Sequence, residues 1–395
     1  MAEVTNYIDR LVAELCPDGV EYRPLGELLA YEQPTKYLVS SKDYDDSYLT
    51  PVLTAGKTFI LGYTNETEGI YPASEEEPVI IFDDFTTAFK WVEFPFKAKS
   101  SAMKMLTLKS GTNSLFKYVY YAMQCIVYNS SDHARQWISK YSNIEIPVPP
   151  MAIQEAIVEI LDKFTNLEAE LEAELEARTL QYEYYRDSLF EALDCPRVPL
   201  GSLGTFVRGN GLQKKDLQES GNPVIHYGQV FTRYGLYEDK TLSYANDEVY
   251  NKLRKAEKGN LVIATTSEND EDVCKALAWL GETPAGISGD AYIYRHEMNP
   301  KYVSYFFTTH DFQRQKLRHI TGTKVRRVSG KNLETIEIPL PPLEEQQRIV
   351  DILDRFDALT SSLSEGLPAE LAARRSQYEY YRDQLLTFPR KGENQ

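Results

Sequence analysis

The sequence is poor in the residues that staple or metallate a fold. It has four cysteines in 395 residues, Cys16, Cys125, Cys195 and Cys274, and no CxxC pair. That spacing excludes a disulfide framework or a zinc ribbon and suits a reducing compartment. Histidine occurs five times without an HxxxH pair, so no structural metal is expected. No apolar run approaches the roughly 20 residues of a membrane span. The opening segment, MAEVTNYIDRLVAELC, carries early acids in place of a basic n-region, which argues against a signal peptide and for the cytoplasm.

Catalytic signatures are also missing. A DNA methyltransferase needs a glycine-rich cofactor loop and an Asn/Asp-Pro-Pro-aromatic motif for a flipped base. Gly209-Asn210-Gly211 lacks a third glycine, and the Pro-Pro pairs are followed by Met151 and Leu343. There is no GxxxxGK[ST] loop for ATP. Glu238-Asp239-Lys240 matches only the short E-x-K piece of a metal-dependent nuclease, and no serine or cysteine nucleophile signature is present. The composition is that of a binding protein.

A basic excess is absent too: the net charge is −16. The acid is concentrated, however, since residues 151–193 hold eleven acids against three bases. Basic clusters stand elsewhere, at Lys324, Arg326, Arg327 and Lys331 and at Lys214-Lys215. With a Debye length of about 10 Å at 0.1 M salt, an acidic helix does not forbid locally basic nucleic-acid-binding surfaces.

What the sequence does have is a duplication. IPVPPMAIQEAIVEILDKF from Ile146 and IPLPPLEEQQRIVDILDRF from Ile338 are identical at eleven of nineteen positions, at an offset of 192. QYEYYRD from Gln181 recurs intact from Gln377, at an offset of 196. The four-residue difference is about one helical turn, so it lengthens a helix by roughly 6 Å while keeping its apolar stripe. Shorter echoes flank these blocks: Pro24-Leu25-Gly26 and Pro199-Leu200-Gly201, then FKYVYYAMQ from Phe116 and KYVSYFFTT from Lys301. IDRLVAELCPDGVEYRPLG near the start resembles YRDSLFEALDCPRVPLG, which implies a nearly circular repeat.

These signals predict an α+β protein, with two similar mixed α/β domains separated by two long antiparallel coiled-coil helices. The divisions are a helical segment (1–23), a first head (24–146), a central helix (147–196), a second head (197–338) and a distal helix (339–395). Val79–Phe82, Met105–Leu108, Leu261–Ala264 and Ala291–Tyr294 read as strands. Pro147–Pro150 and Pro339–Pro342 read as extended hinges. From Met151 to Leu193 apolar residues recur every three or four positions, enough for a helix of about 60 Å. Ile157, Phe164, Leu171, Tyr182 and Tyr185 mark its stripe. Ile349, Phe356, Leu363, Tyr378 and Tyr381 mark the second copy, in which Gly366 and Pro368 predict a kink or short break. These ten positions are expected to pack helix on helix or against partner subunits.

The repeated IPLPP–helix and QYEYYRD blocks resemble the specificity subunits of Type I restriction-modification systems over essentially the whole chain. The resemblance implies a non-catalytic subunit with two target-recognition domains, each reading half of a split double-stranded DNA site, and helices that set the gap. It implies docking of two modification subunits, to which two restriction subunits can add. S-adenosylmethionine would then sit on the modification subunit, and ATP and Mg on the restriction subunit, with no cofactor in this chain.

Base edges are read by Arg, Lys, Asn and Gln, and phosphates by cations and hydroxyls. In the second head the leading candidates are Thr323, Lys324, Arg326, Arg327 and Ser329. Their counterparts in the first head are His133, Arg135 and Gln136, with Arg135 matching Arg327 at the 192 offset. Secondary candidates are Tyr227 and Gln229, aligned with Lys57 of the first head, then Thr266, and Lys214 and Lys215 as phosphate contacts. Rival readings are a fused restriction-modification enzyme, a stand-alone DNA-binding regulator and a coiled-coil scaffold. The first lacks its motifs, and the second leaves the long acidic helices without a task.

Overall fold

The computed structural model describes residues 2–56, 58–128, 134–360 and 366–392. Lys57, His133 and Leu363 lie outside the described residues. Contacts divide the chain into two compact units, Met1–Glu170 with Leu371–Gln395, and Leu171–Glu370.

The heads share a sheet plan that their sequences barely reveal. In the first unit a four-stranded antiparallel sheet runs Leu29–Glu32, Met103–Leu108, Val79–Asp83, Phe89–Val92. In the second unit the order is Gly204–Arg208, Ala291–His296, Leu261–Ala264, Lys275–Trp279, with Tyr237–Glu238 added in parallel at the edge. The central strands are apolar on both faces, as expected for strands covered on both sides. Each unit has a second sheet built on a Pro-Val strand: Thr50–Leu53 and Asn222–Ile225 each pair antiparallel with one neighbour and parallel with the other. All four strands expected from the sequence are present, within two residues at either end.

The hinges are extended and paired. Glu145–Val148 runs antiparallel to Glu21–Pro24, and Glu337–Pro339 to Arg197–Pro199. Each Pro-Leu-Gly then opens a one-turn helix whose leucine is fully buried, Leu25 and Leu200.

The central helix, Met151–Glu191, is continuous over 41 residues. Its start is fastened to the first head in the way the distal helix, Leu343–Thr360, is fastened to the second. Buried Gln154 donates to Pro149 O at 2.7 Å and accepts from Leu115 N at 2.9 Å. Gln346 donates to Pro341 O at 2.8 Å and accepts from Asn299 N at 2.9 Å. The KYV segments supply the remaining ties. Tyr118 and Tyr302 donate to Pro147 O and Pro339 O at 3.0 and 2.8 Å. Tyr121 donates to Asp162, which Lys117 approaches at 3.2 Å; Tyr305 and Lys301 each reach Asp354 at 2.7 Å.

The stripe residues separate into two groups. Ile157 and Ile349 are fully buried in the apolar cores of their own units, beside the head helices Phe116–Gln124 and Pro300–Phe306. The aromatic positions make the helix–helix seam. Phe164 meets Tyr378 and Tyr381 in the first unit, and Phe356 stacks on Tyr185 in the second. Glu168 pairs with Arg375 at 2.6 Å, so numbering falls along one helix as it rises along the other: the pair is antiparallel. Tyr182 is buried and Leu171 half-buried.

Gly366, one of the two residues expected to interrupt the second copy, opens the second distal helix, Gly366–Leu385. Gly366 has a φ of 77°, and a side chain there would meet the carbonyl oxygens of Ala358 and Leu359 at 2.6 Å. Pro368 sits in the first turn of this helix, where a missing N–H costs nothing, so the proline does not break it. The circular arrangement closes within the first unit. Val20 N–H donates to Pro389 O at 2.8 Å, Lys391 N–H to Val20 O at 3.0 Å, and Tyr22 to Phe388 O at 2.8 Å.

Candidate nucleic-acid interface

In the second head two segments that are sixty residues apart in sequence form one small ribbon. Thr266–Ser267 pairs antiparallel with Arg326–Arg327, Thr266 opposite Arg327 and Ser267 opposite Arg326. Arg327 and Thr321 exchange backbone hydrogen bonds, each 2.9 Å, which closes residues 321–327 into a tight hairpin. Gly322, at φ 93°, allows the turn, since a Cβ there would lie 2.1 Å from Val325 O. Arg326 is half-buried, tied to Asp270 at 2.8 Å and to Gly322 O. Thr323, Lys324 and Arg327 are exposed, and among the described residues neither Lys324 nor Arg327 carries an ion pair. Ser329 is spent as an N-cap, accepting from Asn332 N at 3.3 Å.

The ribbon joins the other candidates through the turn Ser288-Gly289-Asp290, which sequence reasoning missed. Ser288 Oγ accepts from Tyr227 N at 2.8 Å. Asp290 accepts from Thr265 N at 3.0 Å through its carbonyl and from Thr266 Oγ1 at 3.5 Å through its carboxylate. Arg208 donates to Gly289 O at 2.8 Å and stands 3.7 Å from the Asp290 carboxylate. Gly209 allows this approach, because a Cβ there would lie 2.2 Å from Ser288 O. The Ser-Gly-Asp sequence between two strands was the available signal for the turn.

His226 caps the helix Tyr227–Thr232, its Nδ1 accepting from Gly228 N at 3.2 Å. Burial holds its pKa below the ordinary imidazole value; Lys214 reinforces this and Asp290 opposes it, which puts both charges within electrostatic reach of the ring. Lys214 and Lys215 are exposed in a 3-10 turn. Gln229 is committed internally, its amide donating to Ser243 Oγ at 2.7 Å and accepting from His226 N at 3.3 Å. The outward-facing groups on this face are therefore Lys324, Arg327, Thr323, Arg208, Lys214 and Lys215, with Thr266 and Tyr227 half-buried behind them.

The first head repeats the scheme at its own turn. Gln136 N–H donates to Asp84 O at 2.8 Å, as Val328 N–H does to Thr265 O at 3.2 Å. The Asp84 carboxylate is fully buried, accepting from Trp137 N at 2.8 Å and pairing at 2.9 Å with Lys104, itself fully buried. Arg135 is exposed. Gln136 departs from the expectation of a base-reading side chain: it is fully buried, bonded to Tyr128 at 2.7 Å and to Ala134 O, and it shapes the loop from inside.

No helix among the described residues is long and apolar enough to cross a membrane.

Residues 17–177 and 196–373 match the Type I restriction modification DNA specificity domain. The chain is 44% identical over 403 aligned residues to the Type I restriction enzyme EcoR124I/EcoR124II specificity subunit of Escherichia coli, covering 98% of each. It is 29% identical to a putative type I restriction enzyme specificity subunit of Haemophilus influenzae, over 84% of this chain and 85% of that one. The fold is similar to the S subunit of a Type I restriction-modification system from M. genitalium, with a TM-score of 0.53 at 14% identity, covering 93% and 96% of the two chains. It is also similar to a chain solved in work on complex assembly and conformational transition of the type I R-M system, with a TM-score of 0.57 at 14% identity and 94% and 98% coverage.

Proposed function

The chain belongs to the Type I restriction-modification DNA specificity family, and from that premise we propose that it is the DNA-reading, non-catalytic subunit of such a complex. Each head reads one half of a bipartite double-stranded site, and the helices between the heads set the spacer. The observation that carries the reading is the duplicated interface: Arg135 and Arg327 are both exposed at the repeat offset of 192, each one residue before a backbone N–H that bonds to the residue just past a central strand. An arginine on a backbone-anchored loop suits guanine or phosphate recognition.

The fastening of each head to a long helix supports docking of two copies of a modification subunit. The most exposed tyrosine of each QYEYYRD block is at the same position, Tyr184 at 70% and Tyr380 at 61%. An internal repeat presents the same patch twice, and so suits two identical partners. S-adenosylmethionine belongs on that partner, and ATP and Mg on restriction subunits that join the assembly.

The test is genome-wide adenine-methylation mapping in cells carrying this chain and its neighbouring modification subunit, against cells lacking this chain. The expected result is a new split motif of two unlike half-sites around a fixed gap. Unchanged methylation with a competent modification subunit would overturn the proposal and favour the stand-alone regulator.

A further inference from the structure

The bond that precedes the Thr266–Arg327 pair has a counterpart in the first head, where a different side chain follows it. In the second head the bond from Val328 N to Thr265 O is followed, one residue outward on each side, by the Thr266–Arg327 pair. In the first head the equivalent bond runs from Gln136 N to Asp84 O, and the next residues outward are Phe85 and Arg135. Phe85 thus takes the place of Thr266.

The turn that carries Phe85 is rigid. The Asp83 carboxylate accepts from Phe85 N at 3.0 Å, from Thr86 N at 2.7 Å and from Thr86 Oγ1 at 3.0 Å. Asp84, next in line, is locked by the buried Lys104 and by Trp137 N–H. On this braced platform Phe85 is 41% exposed. A large apolar side chain held partly in solvent gains nothing for the fold from its exposed face. A rigid aromatic is, in contrast, what an interface uses as an anchor, because little side-chain entropy is lost on contact.

We propose that Phe85 is a specificity-determining residue of the first head, contacting the 5-methyl group of a thymine in its half-site. The inference rests on the reading of the heads as DNA readers. A phenyl ring has no hydrogen-bonding group, so among base-edge features of the major groove it selects only the one that is apolar, and that is the thymine methyl. Thr266, bearing a hydroxyl, does not share this restriction, so the two heads differ in chemistry at the residue that follows the matching backbone bond.

The test uses the chain assembled with its modification subunits and duplexes carrying its mapped target. Each thymine of the target is replaced singly by deoxyuridine, which removes only the methyl group. At one thymine the wild-type complex should bind the deoxyuridine duplex about four-fold more weakly, the worth of one buried methyl. The Phe85→Ala complex should show no difference there, while Phe85→Leu and Thr266→Ala complexes keep the sensitivity. Insensitivity of the wild-type complex at every thymine, or full sensitivity retained by Phe85→Ala, would overturn the proposal. A wild-type complex that fails to distinguish its target from a scrambled duplex would instead overturn the DNA-reading premise, and this proposal with it.

Discussion

Phe164 of the central helix stacks on Tyr381 of the second distal helix with ring centroids 5.7 Å apart and planes 23° from parallel. Its repeat copy, Phe356, stacks on Tyr185, also at 5.7 Å and at 28°. The two pairs are the same contact made twice, with the Phe donated by the IPLPP–helix block and the Tyr by the QYEYYRD block. Each contact therefore joins the two anchors of the duplication, and preserving it accounts for the persistence of both aromatics. A double-mutant cycle on Phe164→Ala and Tyr381→Ala, read by urea denaturation, should return a coupling of about 1 kcal/mol beyond the single-site losses. Additive effects would show that the stack is incidental to packing.

Arg327→Ala removes an exposed, unpaired guanidinium from the ribbon without touching the backbone bonds to Thr321 that close the hairpin. Binding of the assembled complex to its target should weaken by about 1–3 kcal/mol, with a shallower salt dependence if the contact is to phosphate. Arg326→Ala should act differently, because Arg326 pairs with Asp270 and spans the turn to Gly322 O; its loss should loosen the hairpin and be visible as faster amide exchange. Wild-type affinity and salt slope in Arg327→Ala, measured by titration at several salt concentrations, would remove this residue from the interface.

His296 gives the second unit a pH dependence. Burial pushes its pKa down to about 4 from 6.5, and both ring nitrogens lie out of contact with solvent. The folded value lies below the unfolded one, so between these two pH values the unfolded chain binds the extra proton. Stability from the neutral ring is complete above pH 6.5 and is lost as pH falls toward 4, by on the order of 3 kcal/mol in total. His296→Gln cannot ionise, so denaturation midpoints measured across this window should fall less steeply in the variant than in the wild type.

The parts of this architecture legible in the sequence are those that act locally. The repeat offsets, the helical stripe, the apolar strands and the buried Leu25 and Leu200 all follow from periodicity and short motifs. Gly366 was visible as a breaker because its effect is on its own backbone. What stayed hidden depends on tertiary pairing. Nothing in the sequence indicates that Thr266 and Arg327 share a ribbon, or that the turn Ser288-Gly289-Asp290 links it to Tyr227. Nor does composition separate Arg135, which is exposed, from Gln136, which is buried one residue later; the bonds of Gln136 to Asp84, Tyr128 and Ala134 hold it inward. Gln229 was chosen for its amide, and a side chain that caps its own helix cannot be distinguished by residue type from one that faces a ligand.

The leucine-spaced units in the middle of the central helix bear on spacing in the DNA. Leu167-Glu-Ala-Glu and Leu171-Glu-Ala-Glu lie within the uninterrupted helix Met151–Glu191, and the exposed faces there carry Glu172, Glu174 and Glu176. Inserting one further Leu-Glu-Ala-Glu after Leu175 adds four residues, close to one turn, so the apolar stripe is shifted by only about 40° and the helix gains about 6 Å. Against a rise of about 3.4 Å per base pair, that length corresponds to roughly one to two base pairs. The insertion variant, assembled with its modification subunits, should therefore methylate the same two half-sites around a longer gap. Because the heads and their ribbons are untouched, half-site sequences should not change, and this separates a spacer effect from misfolding. Methylation mapping reads both quantities at once. An unchanged gap with normal methylation would mean that the helices hold partners without measuring distance.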